Sequence, residues 1–243
     1  MDAFYQCHKQ RRSLFKALQS FREFYPSKSS TVVLVNDRGD NHTDIARFFK
    51  CQYYYRTSQI GRKSALLFDS FEGCLDFLEN VRTAIWHFTN PWFMLLEDDV
   101  RVVGQIRTDA LEHEINGCNP GAKFPLRVLE YVRVRNPRAC DFYGACGGCI
   151  LKTEHFKKIL QDPQLNEHVR EYFERTGGHG ASDMLLSFLN AIHGGRIGMF
   201  SGFYETWWPS RPEYIAVIHQ YKYEYDMELE AADAHKLASQ PFG

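Results

Sequence analysis

Two short stretches constrain the fold more than anything else in the chain. Thr31-Val32-Val33-Leu34-Val35 and Phe93-Met94-Leu95-Leu96 are apolar at consecutive positions rather than alternate ones. Strands of that kind bury both faces, as in a parallel sheet covered by helices on either side. Helical spacing separates them. Leu14, Phe15, Leu18, Phe21 and Phe24 form one apolar stripe, closed by Pro26. Phe71, Leu75, Leu78, Val81 and Ile85 form another within 68–87, and 44–50 reads as a short helix. Phe4 to Cys7 and Cys51 to Tyr55 supply two more strands. The first hundred residues thus alternate strand and helix, which predicts an α/β fold with a mainly parallel central sheet and right-handed crossovers. In such sheets ligands bind beyond the carboxyl ends of the strands. Two of those ends are acidic and polar: Asn36-Asp37-Arg38-Gly39-Asp40 and Glu97-Asp98-Asp99.

The second half is less regular. Residues 127–135, 142–151, 196–203 and 214–219 read as strands, and 154–161, 167–175 and 183–193 as helices, the last capped by Ser182. Gly177-Gly178-His179-Gly180 is a loop, and the Ala- and Glu-rich end reads as a terminal helix. No linker divides the chain, so one domain spans 1–243.

Composition excludes several classes. Lys+Arg is 29 against 30 Asp+Glu, a net charge of -1, which argues against a general nucleic-acid binder. No run approaches the ~20 apolar residues of a membrane span, and the first residues lack the pattern of a signal peptide. Seven cysteines, an odd and scattered number in 243 residues, fit reduced thiols and a cytoplasmic location. Cys146-Gly147-Gly148-Cys149 has Cys-x-x-Cys spacing, but with no second pair it is weak as a zinc site.

The strongest chemical signal is Leu95-Leu96-Glu97-Asp98-Asp99-Val100. Three successive carboxylates repel one another unless water or a divalent cation relieves them; hard oxygen ligands suit Mg²⁺ or Mn²⁺. Asp183, at a helix start, is either a plain N-terminal acid or a general base. His219, closing the run Ala216-Val217-Ile218, is either a satisfied strand-end histidine or a metal ligand. Trp207 and Trp208 are either core or a stacking platform for a sugar.

In this combination the sequence resembles the GT-A-fold, nucleotide-sugar-dependent glycosyltransferases. Phe93 to Val100 is similar to their DXD motif in its Glu-Asp-Asp form, and Phe4 to His8 followed by Val32 to Asp37 resembles the two strands that hold the nucleoside. Gly144 to Ile150, then Ala181-Ser182-Asp183, then Ala216 to His219 match in order the glycine loop, helix-opening acid and late histidine of the family. The likeness covers about residues 1–225; Asn36-Asp37-Arg38-Gly39 departs from the commoner Asp-Gly-Ser form at the uracil contact.

The resemblance implies a Rossmann-like sheet, with 1–103 binding the nucleotide sugar, 104–225 forming a smaller mixed acceptor and catalytic half, and 226–243 a tail. It implies a metal, Mn²⁺ or Mg²⁺, on Asp99 and His219. Donor contacts, with a UDP-sugar as the expected donor, fall to Gln6, Cys7, His8, Asp37, Arg38, Glu97 and Asp98, to Arg62, Lys63 and Arg82 against the diphosphate, and to Gly147 and Gly148 through close backbone approach. His179, Trp207 and Trp208 would meet a glycan or glycoconjugate acceptor, and Asp183 would be the base of an inverting transfer. A retaining transferase, a nucleotidyltransferase and a non-catalytic carbohydrate-binding domain are the alternatives. The second lacks its phosphate loop, since Cys7 to Arg12 contains no glycine.

Overall fold

The computed structural model describes residues 1–57, 61–64, 66–117, 122–208 and 210–220, the side chains of 62–64 excepted. The first part of the chain runs β1 (Asp2–Cys7), α1 (Arg11–Phe24), β2 (Val32–Asn36), α2 (Thr43–Phe48), β3 (Gln52–Tyr55), a small hairpin β4 (Arg62–Ser64) and β5 (Leu67–Phe68), α3 (Phe71–Ile85) and β6 (Trp92–Leu96). It continues with β7 (Arg101–Val102), β8 (Ile115–Asn116), α4 (Leu126–Arg135), β9 (Ile150–Lys152), α5 (Thr153–Leu160), α6 (Leu165–Thr176), α7 (Ala181–Ile192), β10 (Ile197–Gly198), β11 (Phe203–Glu205) and β12 (Val217–His219).

The main sheet has seven strands in the order β10-β8-β9-β6-β1-β2-β3. β3, β2, β1 and β6 are mutually parallel, and β9 enters antiparallel between β6 and β8. The consecutive apolar runs do face both ways. Phe4, Val33, Val35, Phe93 and Leu95 pack with α3 to α7, whereas Ala3, Tyr5, Val32, Leu34, Met94 and Leu96 pack with α1 and α2. At the amino-terminal pole the buried Asp2 carboxylate accepts hydrogen bonds from the backbone of Thr31, Thr89 and Asn90 at 2.6, 2.9 and 2.8 Å, tying three strand starts together.

A second sheet of three strands lies in the order β11-β12-β7. Its strand β7 begins two residues after the acid triplet, and its core residues Val102, Phe203 and Val217 share the α1 side of the main sheet. Ser20 of α1 accepts from the Val102 N–H at 3.1 Å. This sheet carries the late part of the chain back to the acidic strand end.

Several expected elements differ. Residues 127–135 form α4, not a strand: Val128, Leu129 and Val132 are buried at helical spacing, while Val134 is 80% exposed. Of 142–151 only the end pairs in the sheet, as β9, and the glycine-bearing part is a loop. Residues 196–203 split into β10, a turn and the start of β11. Gly180, with φ of +78°, is the N-cap of α7, and the Ser182 hydroxyl donates to Asp183 rather than capping. The tail 226–243, where the sequence predicts a terminal helix, lies outside the described residues. No helix among the described residues is long and apolar enough to cross a membrane.

Leu34 is fully buried in β2, between parallel neighbours. Leu34→Ala is expected to cost about 2–5 kcal/mol of unfolding free energy, read as a lower urea midpoint with little change in slope.

Candidate functional site

The registers Cys7 with Asn36, Asn36 with Tyr55 and Tyr5 with Leu96 align the carboxyl ends of four parallel strands along one edge. His8, Asp37 and the triplet Glu97-Asp98-Asp99 follow those ends directly.

At β1 and β2 the two turns are knitted together. The Asp37 N–H donates to Cys7 O at 2.8 Å, and the Asp40 N–H to His8 O at 2.9 Å. The His8 ring nitrogen Nδ1 lies 2.8 Å from Asp37 O. The Asn36 side chain accepts from the Gly39 N–H at 2.7 Å and donates to Asp40 O at 2.6 Å. A Cβ at Gly39 would sit 1.8 Å from His8 O, so only glycine lets the two turns approach. Gln6, Cys7, His8, Asp37 and Arg38 are therefore brought together at this corner.

At the end of β6 Asp98 turns away from the two acids that flank it. Asp98 accepts a hydrogen bond from Tyr5, which is wholly buried; burial first, then the Asp98 charge, pushes the Tyr5 phenol well above its usual range. Glu97 and Asp99 lie with His219, their donor atoms all within 4.8 Å of one another. His219 Nε2 is 3.8 Å from Asp99 Oδ1. The chain topology produces this meeting: β12 pairs antiparallel with β7, placing Val217 opposite Val102 and Ile218 opposite Arg101, so the next residue, His219, reaches the acid turn.

The other face of His219 meets a residue the sequence did not reveal. Glu205 ends β11, which pairs in parallel with β12 so that Glu205 stands beside His219. Its Oε1 accepts from His219 Nδ1 at 2.8 Å, and it is only 1% exposed. Burial alone would pull the His219 pKa down; the Glu205 hydrogen bond and the charges of Glu97, Glu205 and Asp99 overcome it and raise the pKa to about 9.

The loop between α4 and β9 closes the cluster. A Cβ at Gly147 would sit 2.8 Å from Glu97 Oε2 and 3.0 Å from His219 Cδ2, so the bare glycine lets those side chains approach the loop. Gly148 has φ of +81° and packs on Val217. Ser187 of α7 accepts from the Gly144 and Ala145 N–H groups at 3.0 and 3.1 Å, joining this loop to the helix whose first turn carries Asp183. The buried thiol of Cys146, in the same loop, is pushed well above its usual range by burial and then by the charges of Cys149, Asp183, Glu205 and Glu97. Asp183 thus flanks the same loop as the acid cluster and is half-buried in the first turn of α7. Arg38, Ala181 and Gln220, adjoining Asp37, Ser182 and His219, have positive φ of 54°, 37° and 57°, backbone strain that clusters at this edge.

Other expected residues sit further out. Trp207 is half-exposed and meets Trp208 edge-on at 6.4 Å; Trp208 packs on Phe203, and Phe203 on the His219 ring at 6.3 Å. His179 is exposed; its backbone pairs with Leu67, and its carbonyl accepts from Tyr172 at 2.7 Å. Arg82 is held in the last turn of α3 by Glu79 and by Leu160 O at 3.0 Å, at the helix end remote from the strand termini. The side chains of Arg62 and Lys63 lie outside what the structure describes.

No family model matches the chain, and no curated protein matches it. Solved structures do. The galactosyltransferase LgtC in complex with donor and acceptor sugar analogs aligns with a TM-score of 0.55 at 12% identity, covering 96% of each chain. An active-site mutant of LgtC gives 0.59 at the same identity and coverage. Staphylococcus aureus TarS gives 0.50 at 12% identity; all of this chain is covered but only 40% of TarS, so the chain spans less than half of that protein. The fold is accordingly the GT-A-like α/β fold of these glycosyltransferases, with a mostly parallel sheet flanked by helices.

A histidine with a raised folded pKa stabilises the protein fully below its unfolded pKa of about 6.5, and that contribution fades as pH rises through the folded value. With a chelator present, the melting temperature is expected to fall between about pH 6.5 and 9, and His219→Asn should flatten that stretch of a differential-scanning-fluorimetry profile.

Proposed function

We propose that the protein is a metal-dependent glycosyltransferase that moves a sugar from a nucleoside-diphosphate sugar, with UDP as the nucleotide, to a hydroxyl of a glycan or glycoconjugate. The observation that carries this reading is the meeting of Glu97, Asp99 and His219 at the carboxyl edge of a GT-A-like sheet. Two carboxylates and an imidazole suit Mn²⁺ or Mg²⁺, and their crowding fits a cation. A bound cation would neutralise charge on the departing diphosphate without a proton transfer.

The remaining roles follow from the chain's own groups. Asp99 and His219 hold the metal, with Glu97 beside them as ligand or donor contact. Gln6, Cys7, His8, Asp37 and Arg38 line the corner for the nucleoside. Asp98, fixed by Tyr5, orients the sugar or ribose. The backbone of Gly147 and Gly148 borders the donor sugar. Asp183 takes the proton of the acceptor hydroxyl, whose own pKa is too high for it to attack unassisted. Trp207 and Trp208, the latter backed by the buried Phe203, with His179 on its loop, supply a surface for the acceptor ring. TarS has been solved in complex with UDP, and LgtC with donor and acceptor sugar analogs, which supports the same donor class here.

A panel of nucleotide sugars screened for Mn²⁺-dependent release of nucleoside diphosphate tests the reading, and absence of any metal-dependent release would refute it. Asp99→Asn is expected to abolish Mn²⁺-dependent binding of UDP in calorimetry. Asp183→Asn should keep that binding and lower transfer by about 10²-fold or more; turnover near the wild-type rate would remove Asp183 as base.

A further inference from the structure

A buried carboxylate is costly unless its partners hold it in place. Glu205 is 1% exposed, yet among the described residues its Oε2 has no hydrogen-bond partner. Its bonds converge on Oε1, which accepts from His219 Nδ1 at 2.8 Å and lies 3.9 Å from Cys146 Sγ. No helix end, turn or strand ladder uses the carboxylate. A role confined to packing would be met by an apolar side chain of similar volume, since Cys146, 3.9 Å from the carboxylate, and Phe203 on the same strand belong to the apolar core.

We propose that Glu205 is a positioning residue for His219, fixing both the ring's orientation and the nitrogen that carries its proton. This rests on the metal site proposed above. With Nδ1–H donating to Glu205, the lone pair of the neutral ring belongs to Nε2, the nitrogen that faces Asp99 Oδ1 at 3.8 Å. A histidine free to rotate or to exchange tautomers would spend part of its time with N–H toward the acids and no electron pair to offer. The carboxylate also makes the ring a stronger donor to a cation, as carboxylate–imidazole pairs do behind metal ligands elsewhere. The construction is economical in backbone terms: the parallel β11–β12 ladder registers Glu205 directly against His219, so positioning residue and ligand are set by one strand pair. Cys146, whose thiol donates to Gly117 O at 3.4 Å and reaches toward Oε1, limits the carboxylate's movement from the far side.

The test is titration of the full chain with Mn²⁺ alone, followed by the electron paramagnetic resonance of the free ion, for wild type, His219→Ala, Asp99→Asn, Glu205→Ala and Glu205→Gln. His219→Ala and Asp99→Asn should lose binding. Glu205→Ala should weaken it about 10- to 100-fold, and Glu205→Gln, which keeps an oxygen for Nδ1–H but not the charge, should fall between Glu205→Ala and wild type. Ring ¹⁵N spectra of the metal-free protein, at a pH high enough for the ring to be neutral, should show His219 protonated on Nδ1 in the wild type and a tautomer mixture in Glu205→Ala, a signature that packing alone would not move. If Glu205→Gln and Glu205→Ala bind Mn²⁺ within about twofold of wild type while His219→Ala loses it, the positioning role is wrong and the metal site stands. If His219→Ala and Asp99→Asn also bind as wild type does, the metal reading fails and this one with it. Should Glu205→Ala not fold, Glu205→Gln alone decides: Mn²⁺ affinity within about twofold of wild type overturns the proposal, and a weaker affinity upholds it.

Discussion

Crowding of like charge at one end of a buried strand is the constraint around which this molecule is arranged. Glu97 and Asp99 approach each other at the end of β6, and Glu205 stands buried on the far side of the same imidazole. Glu205 is buried too deeply for water to reach it freely, and a positive charge beside it offsets the cost of that burial. His219 supplies it in the ligand-free protein, which is why its pKa rises to about 9 despite burial. A divalent cation bringing two positive charges would take over from the proton. The electrostatic pressure that makes the cluster awkward for a bare protein is the pressure that the proposed metal would relieve.

The scaffold answers that pressure from two directions. The parallel sheet delivers the acids, and hydrophobic burial on both its faces fixes where β6 ends. The small second sheet delivers Glu205 and His219. Because β7 emerges from the acid turn and pairs with β12, the distance between acids and imidazole is set by backbone hydrogen bonds rather than by flexible side chains. Glycine at position 147 completes the arrangement by leaving room where any side chain would press on Glu97 and His219.

Much of this was legible in the residues. Val32 to Val35 and Phe93 to Leu96 could not be half-exposed strands, and the acids that follow β6 mark its end as surely as the apolar run marks its interior. The helices with clear stripes, α1 and α3, were equally plain. The stretch 127–135 misled because its valines at 128, 132 and 134 favour strand by residue type, while burial in fact follows 128, 129 and 132, a helical set. Residues 142–151 misled because an apolar glycine-bearing run suits a loop as well as a strand. Glu205 was invisible for a different reason. It lies fourteen residues before its partner, on a three-residue strand, and only the pairing of β11 with β12 makes it a neighbour of anything charged. Among the expected donor contacts, Arg82 illustrates the limit of charge alone as a guide: a basic residue in the last turn of a crossover helix lies at the pole opposite the strand carboxyl ends.

The order of the pieces along the chain carries one more consequence. The parallel strands β1, β2, β3 and β6 are complete before residue 97, but the imidazole that neutralises the acids arrives with β12, close to the end of the described chain. During synthesis the acidic turn therefore emerges from the ribosome well ahead of the group that balances it. Until the last short strand docks beside β7, the nascent protein holds a nearly finished sheet with an uncompensated negative edge. Closure of that edge waits for β12, the strand that sets His219 against the end of β7.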